Sequence, residues 1–217
     1  MDPYEWSWHP EPITVVLALT IGYGWALRRF PAVRWRIACF VGAMLLVLGV
    51  TITPIDTIAL RYLLSIHLVQ NVVLAEWAPL LFVLSIPPAL AATAPRVPPL
   101  PALALWVVNY GFWHMPWLYD TALRHPHPLL HLEHALYFAT GVLLWWPVVH
   151  SRLSSGAKAA YVFAAFALAS PAQSDGRRGS YLAPAGYCTG ASVEVMICLH
   201  ITRGMRLGYR CFARRFV

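Results

Sequence analysis

The sequence predicts an all-α fold, a polytopic membrane helix bundle with about five to six spans present. Three observations carry that reading. Hydrophobic residues make up 59% of the 217 and charged residues only 12%, about half the share of about 25% that soluble domains carry. A chain so poor in charge cannot cover a water-facing surface, so lipid is its solvent and membrane lipid its first partner. The apolar residues fall into successive runs, and the length allows about five to seven spans of about 20 residues with short loops and little else. Histidines gather toward one face of the predicted bundle.

Taken in order, the first run covers residues 13–27, preceded by Trp6 and Trp8 at an interface and closed by Arg28 and Arg29. The segment before it is acidic and Trp-rich, without the positive start and cleavage site of a secretory signal, so the first span is expected to be retained. The second run covers 37–53 and ends at Pro54. A third begins near Thr57 and passes through His67 and Asn71 to Trp77, where Pro79 interrupts it. Its continuation over 80–90 reads equally as a kinked extension, a re-entrant piece or an interfacial helix. Further spans are predicted over 102–115 and 129–149. A sixth apolar run starts at Lys158 and stops early, at Pro171. Trp145 and Trp146 before Pro147 read as an interfacial aromatic belt.

The net charge of +7 sits at the ends of these runs (Arg28, Arg29, Arg34, Arg36) and near the end of the chain (Arg203, Arg206, Arg210, Arg214, Arg215). No basic stripe with interleaved aromatics is present, so nucleic acid is not an expected partner and the charge reads as a positive-inside signal. The first loop is then cytoplasmic and the N-terminus extracytoplasmic. Arg96, Arg152 and Lys158 agree with this topology, and Arg61 and Arg124 oppose it. The four cysteines, Cys39, Cys188, Cys198 and Cys211, form no CxxC pair and no zinc spacing.

On this topology His9, His67, His114, His125, His127, His131 and His134 fall on the outer side, and His150 and His200 elsewhere. Two segments stand out: HLVQN, from His67 to Asn71, and WHMPWLYDTALRHPHPLLHLEH, from Trp113 to His134. His131 and His134 are three apart, a spacing that brings side chains near one another on a helix. Imidazoles in such a group suit Cu, Zn, Fe or Ni, and Glu133 or Asp120 would orient a ligand ring through its other N–H. His67 reads equally as a ligand and as an interhelical hydrogen-bonding group. His125 and His127, in a Pro-rich loop, read as solvated. No nucleophile–base pair, phosphate loop or acid pair is present, so an enzyme is not expected. Histidines on facing spans also fit a haem or redox protein with axial imidazoles. A metal transporter would need polar residues at both depths of the bundle, and the polar set here is one-sided.

The pieces HLVQNVVLAEWAPLL (from His67), WHMPWLYDTAL (from Trp113) and HLEHALYFATGVLLWWP (from His131) resemble the CtaG family of cytochrome c oxidase assembly factors, the caa3-type group. With the span pattern, the likeness covers about residues 10–170. The resemblance implies a multi-pass bacterial plasma-membrane protein of about seven spans. It also implies a role in maturing haem–copper oxidase, with an oxidase subunit as partner and copper as the metal handled. Carried over by position, His67, His114, His131 and His134 become the candidate metal residues, with Asp120 and Glu133 in support. The single-span copper chaperones that share the CtaG name, with their cysteine ligands, are a different group.

Two departures stand against the family pattern. Many members carry a second histidine where this chain has Asn71. After Ser170 and Pro171 the text no longer shows the expected long apolar spans or an Asp-Gln-Gln-type motif. The division expected is therefore a membrane bundle over 1–171 and a basic, atypical tail over 172–217, read as a frameshifted or aberrant end.

Overall fold

The computed structural model describes residues 4–6, 8–61, 64–115, 117–118, 121 and 129–174. The 172–217 tail beyond Ser174, and with it His200, lies outside these residues, as do Asp120, Arg124, His125 and His127. Among the described residues every regular element is helical, as the composition predicts.

Helix α1 is Pro10–Leu27, α2 Arg34–Thr51, α3 Pro54–Arg61 and α4 Leu64–Val72. A π-helical turn, Val73–Trp77, joins α4 to α5, Ala78–Ser85. The short α6 is Pro88–Ala91, α7 Pro99–Trp113, α8 His131–His150 and α9 Ser155–Ser174. Proline sets several starts. Pro10 and Pro12 open α1, and Pro99 opens α7, where the fixed φ suits a helix and the missing N–H has no intrahelical partner to lose.

Among the described residues, three helices are long and apolar enough to cross a membrane: Arg34–Thr51, Ser65–Ser85 and His131–His150. Large apolar side chains face outward from the bundle, including Val108 at 67% and Phe163 at 76% exposure, while His67 and Gln70 are fully buried. This is the inverse of a soluble protein. Apolar surface can be left to lipid, whereas polar groups must find partners inside.

The π turn has a local cause. Pro79 has no N–H for the Ala75 carbonyl four residues earlier, so a regular ladder cannot continue there. The Ala78 N–H instead reaches the Val73 carbonyl, five residues back. The Trp106 indole on α7 donates to the Ala75 oxygen at 3.4 Å, replacing the bond that proline removes. The rod therefore runs on to Ser85, and among the three alternatives for 80–90 the structure has a helical extension ending at Ser85, then a separate short helix.

The third predicted run differs in its start. Gln70 Nε2 donates to Asp56 Oδ1 at 3.0 Å and to the Val50 carbonyl at 2.7 Å. Fourteen residues of continuous helix would separate Asp56 from Gln70 by about 21 Å, so α3 is folded back against α4 and belongs to neither crossing rod. The polar pair Asp56 and Gln70 draws it there, because each needs a buried partner. The sixth run also differs, extending through Pro171 to Ser174.

The rods alternate in direction and define two ends. At one end, Arg36 Nη1 donates to the carbonyls of Leu84 and Ile86 at 2.7 Å each, the Tyr23 hydroxyl donates to the Ser85 carbonyl at 3.0 Å, and the His150 Nε2 donates to the Val83 carbonyl at 3.1 Å. The carbonyls at the C-terminus of α5 are thus capped from α1, α2 and α8, that of Val83 in addition to its bond from the Ile86 N–H at 3.2 Å. Arg28, Arg29, Arg34 and Arg36 therefore share this arginine end with the α5 terminus and the end of α8. The starts of α1, α4 and α8 share the opposite, histidine end.

Candidate functional site

Among the polar side chains buried at the histidine end are Asp56 and Thr57 of α3, His67, Gln70 and Asn71 of α4, and Glu133 and His134 of α8, with Thr51 at the end of α2. On α4, His67 and Asn71 are four apart and so lie on one face. The Asn71 amide nitrogen stands 3.3 Å from His67 Nε2 and 3.5 Å from Glu133 Oε1. The amide, an N–H donor, bridges an imidazole of one rod and a carboxyl of another. Glu133 also interacts with Tyr137, one turn further along α8.

The His67 and His134 rings face each other across the α4–α8 seam, their centroids 6.5 Å apart and their planes at 35°. His134 Nε2 is buried with no hydrogen-bond partner among the described residues, a costly state for a polar atom away from water. His114, just past the end of α7, completes this group from a third element. Its Nδ1 donates to the Tyr110 carbonyl at 2.8 Å and lies 3.4 Å from the Tyr137 hydroxyl. With Nδ1 carrying the proton, the neutral ring presents its lone pair on Nε2. Its ring also stacks on Tyr110 at 4.3 Å, and it is an electrostatic neighbour of His67.

His131 turns toward α1, while remaining an electrostatic neighbour of His134. It lies three residues before His134, about 60° away around the helix axis, and faces α1. Its Nε2 is 3.9 Å from Glu11 Oε2, and its ring is 5.1 Å from that of His9 in an edge-on arrangement. The six residues singled out in the sequence therefore divide. His67, His114, Glu133 and His134 converge in a buried inner cluster. His131 stands in an outer group, and Asp120 lies outside the described residues. Sequence reasoning missed Asn71 as a bridge between His67 and Glu133, and it missed His9 and Glu11 as neighbours of His131. The polar residues before α1 were the available signal.

Inner-cluster chemistry follows from its donors. Imidazole nitrogens and one carboxyl, with no cysteine among the named residues of the cluster, suit borderline first-row ions and give exchangeable binding. The buried, unpartnered His134 Nε2 is the atom that an ion would satisfy.

The family model described as cytochrome c oxidase caa3 assembly factor (Caa3_CtaG) matches residues 21–172. That span contains the whole inner cluster and leaves out His9 and Glu11. No curated protein and no solved structure matches the chain.

Proposed function

Because the chain belongs to the cytochrome c oxidase caa3 assembly factor family, we propose that it serves assembly of that oxidase by carrying copper at the inner histidine cluster and presenting it to an oxidase subunit. Copper is the cargo in this reading, and His67, His134 and His114 are the residues that hold it. Asn71 and Glu133 orient the His67 ring. The role is binding and transfer, with no bond made or broken in a substrate, so the chain is not an enzyme.

One observation carries the proposal: the facing of His67 and His134, 6.5 Å apart, with a buried His134 nitrogen lacking a partner among the described residues. Two imidazoles flanking one ion through bonds of about 2.0–2.1 Å have ring centres roughly 6 Å apart.

The same reading puts the histidine end on the extracytoplasmic side of a bacterial plasma membrane, with about five to six spans. What supports it is the charge asymmetry. Arg28, Arg29, Arg34 and Arg36 gather at the far end, as basic loops do on the cytoplasmic face. The basic sequence beyond Ser174 is proposed to bind anionic lipid.

The test is a His67→Ala, His134→Ala double substitution in the full chain, with oxidase activity and chain level both measured in membranes. Oxidase should fall several-fold while the chain persists in the membrane. Undiminished oxidase together with undiminished copper in the purified protein would overturn the proposal.

A further inference from the structure

The outer group is a distinct arrangement from the inner cluster. His9, Glu11 and His131 each offer one ligand atom, and these atoms all lie within 4.8 Å of one another. We propose that His9, Glu11 and His131 form a second, outer metal site that takes a divalent transition-metal ion such as Cu(II) or Zn(II) directly from the water at the histidine end.

Two imidazoles and one carboxylate are the donor set of three-ligand zinc sites that keep a position open, and the same set serves other first-row divalent ions. Ligand atoms around a tetrahedral ion with bonds of about 2.0–2.1 Å stand roughly 3.4 Å apart. The separations here exceed that by little more than an ångström, a gap that side-chain rotation closes. The Glu11 side chain is 50% exposed, and that of His131 is 20% exposed, so solvent reaches the group. His9 has a further carboxylate beside it, Asp56 Oδ2 at 3.7 Å from its Nε2. A carboxylate behind a ligating imidazole fixes the ring's orientation and raises its basicity.

The fold builds this group from two segments far apart in sequence. Pro10 and Pro12 fix the first turn of α1 next to His9 and Glu11, and His131 opens α8. The site shares no residue with His67, His114 and His134, so it does not depend on the copper-carrying reading. Its place three residues before His134 makes it an entry to the inner cluster. His9 and Glu11 precede the part of the chain that matches the family model, and His131 lies within it.

The test uses the purified full chain in detergent, titrated with Cu(II) alone and followed by electron paramagnetic resonance and metal stoichiometry. Wild type should show an exposed site with nitrogen coupling from two imidazoles, and the His67→Ala, His134→Ala double variant should keep it. His9→Ala should lose one nitrogen coupling, and Glu11→Gln should weaken binding about tenfold or more. Glu11 is exposed, so its variant tests the site without disturbing packing, and an unchanged thermal unfolding midpoint confirms that. The proposal is overturned if wild type binds no Cu(II) there, if His9→Ala and Glu11→Gln bind as wild type does, or if the signal disappears only in the inner double variant.

Discussion

Gly141 on α8 sits directly against the carbonyl oxygen of Ala75 in the π turn. A Cβ at Gly141 would collide with that oxygen and stand 2.6 Å from Pro79 Cγ. The backbones of α8 and the Ser65–Ser85 rod touch at this point, and their close approach holds His134 opposite His67. Close packing at small residues is a common way for membrane helices to associate.

Gly141→Ala should therefore destabilise the bundle by about 1–3 kcal/mol, the usual cost of overpacking. Gly22 has nothing within 4 Å of its Cβ position, and Gly22→Ala should be neutral or gain up to about 1 kcal/mol from helix propensity. Thermal unfolding of both variants in detergent checks the contrast; equal midpoints would mean that the seam is not tight.

Trp106→Phe keeps most of the ring and removes the indole N–H that reaches the Ala75 carbonyl. The carbonyl is then left without the donor that Pro79 cannot supply, at a cost of about 1–3 kcal/mol. The Pro79→Ala background supplies a backbone N–H. The loss should shrink there, a coupling that a double-mutant cycle reads directly.

Arg36 binds two carbonyls at the end of α5. Bonds from a charged donor contribute about 1.5–3 kcal/mol, so Arg36→Gln should lower the unfolding midpoint clearly. Arg36→Lys should recover part of the loss. If Arg36→Gln unfolds as wild type does, the cap contributes nothing.

Asn71 stands between His67 and Glu133. Asn71→His would put another imidazole into the inner cluster, and Cu(II) affinity should rise about tenfold or more. Unchanged affinity in a folded variant would count against that cluster as the copper position.

Absorption spectra separate the two readings of the facing imidazoles. Protein purified from cells making haem should show no Soret band under the copper reading, and a stoichiometric band would favour axial ligation by His67 and His134.

Much of this architecture is already written in local sequence. A membrane helix bundle follows from the depletion of charge, and the rods α1, α2, α7 and α8 from apolar runs bounded by Arg and Pro. The crowding of histidines at one end follows from their positions in those runs. These are properties of composition and spacing along one segment. What only the tertiary structure decided is which groups meet. Gln70 pulls Asp56 back against α4, so a run that looks continuous from Thr57 becomes two helices. Pro79 ends neither rod nor crossing, because Trp106 from another helix takes the orphaned carbonyl. His131 and His134 are neighbours in the text yet part company, one toward Glu11 and the other toward His67. Sequence spacing gives the angle of a side chain about its own helix axis. It does not say which helix stands at that angle, and in a membrane interior buried polar groups answer that question by finding one another.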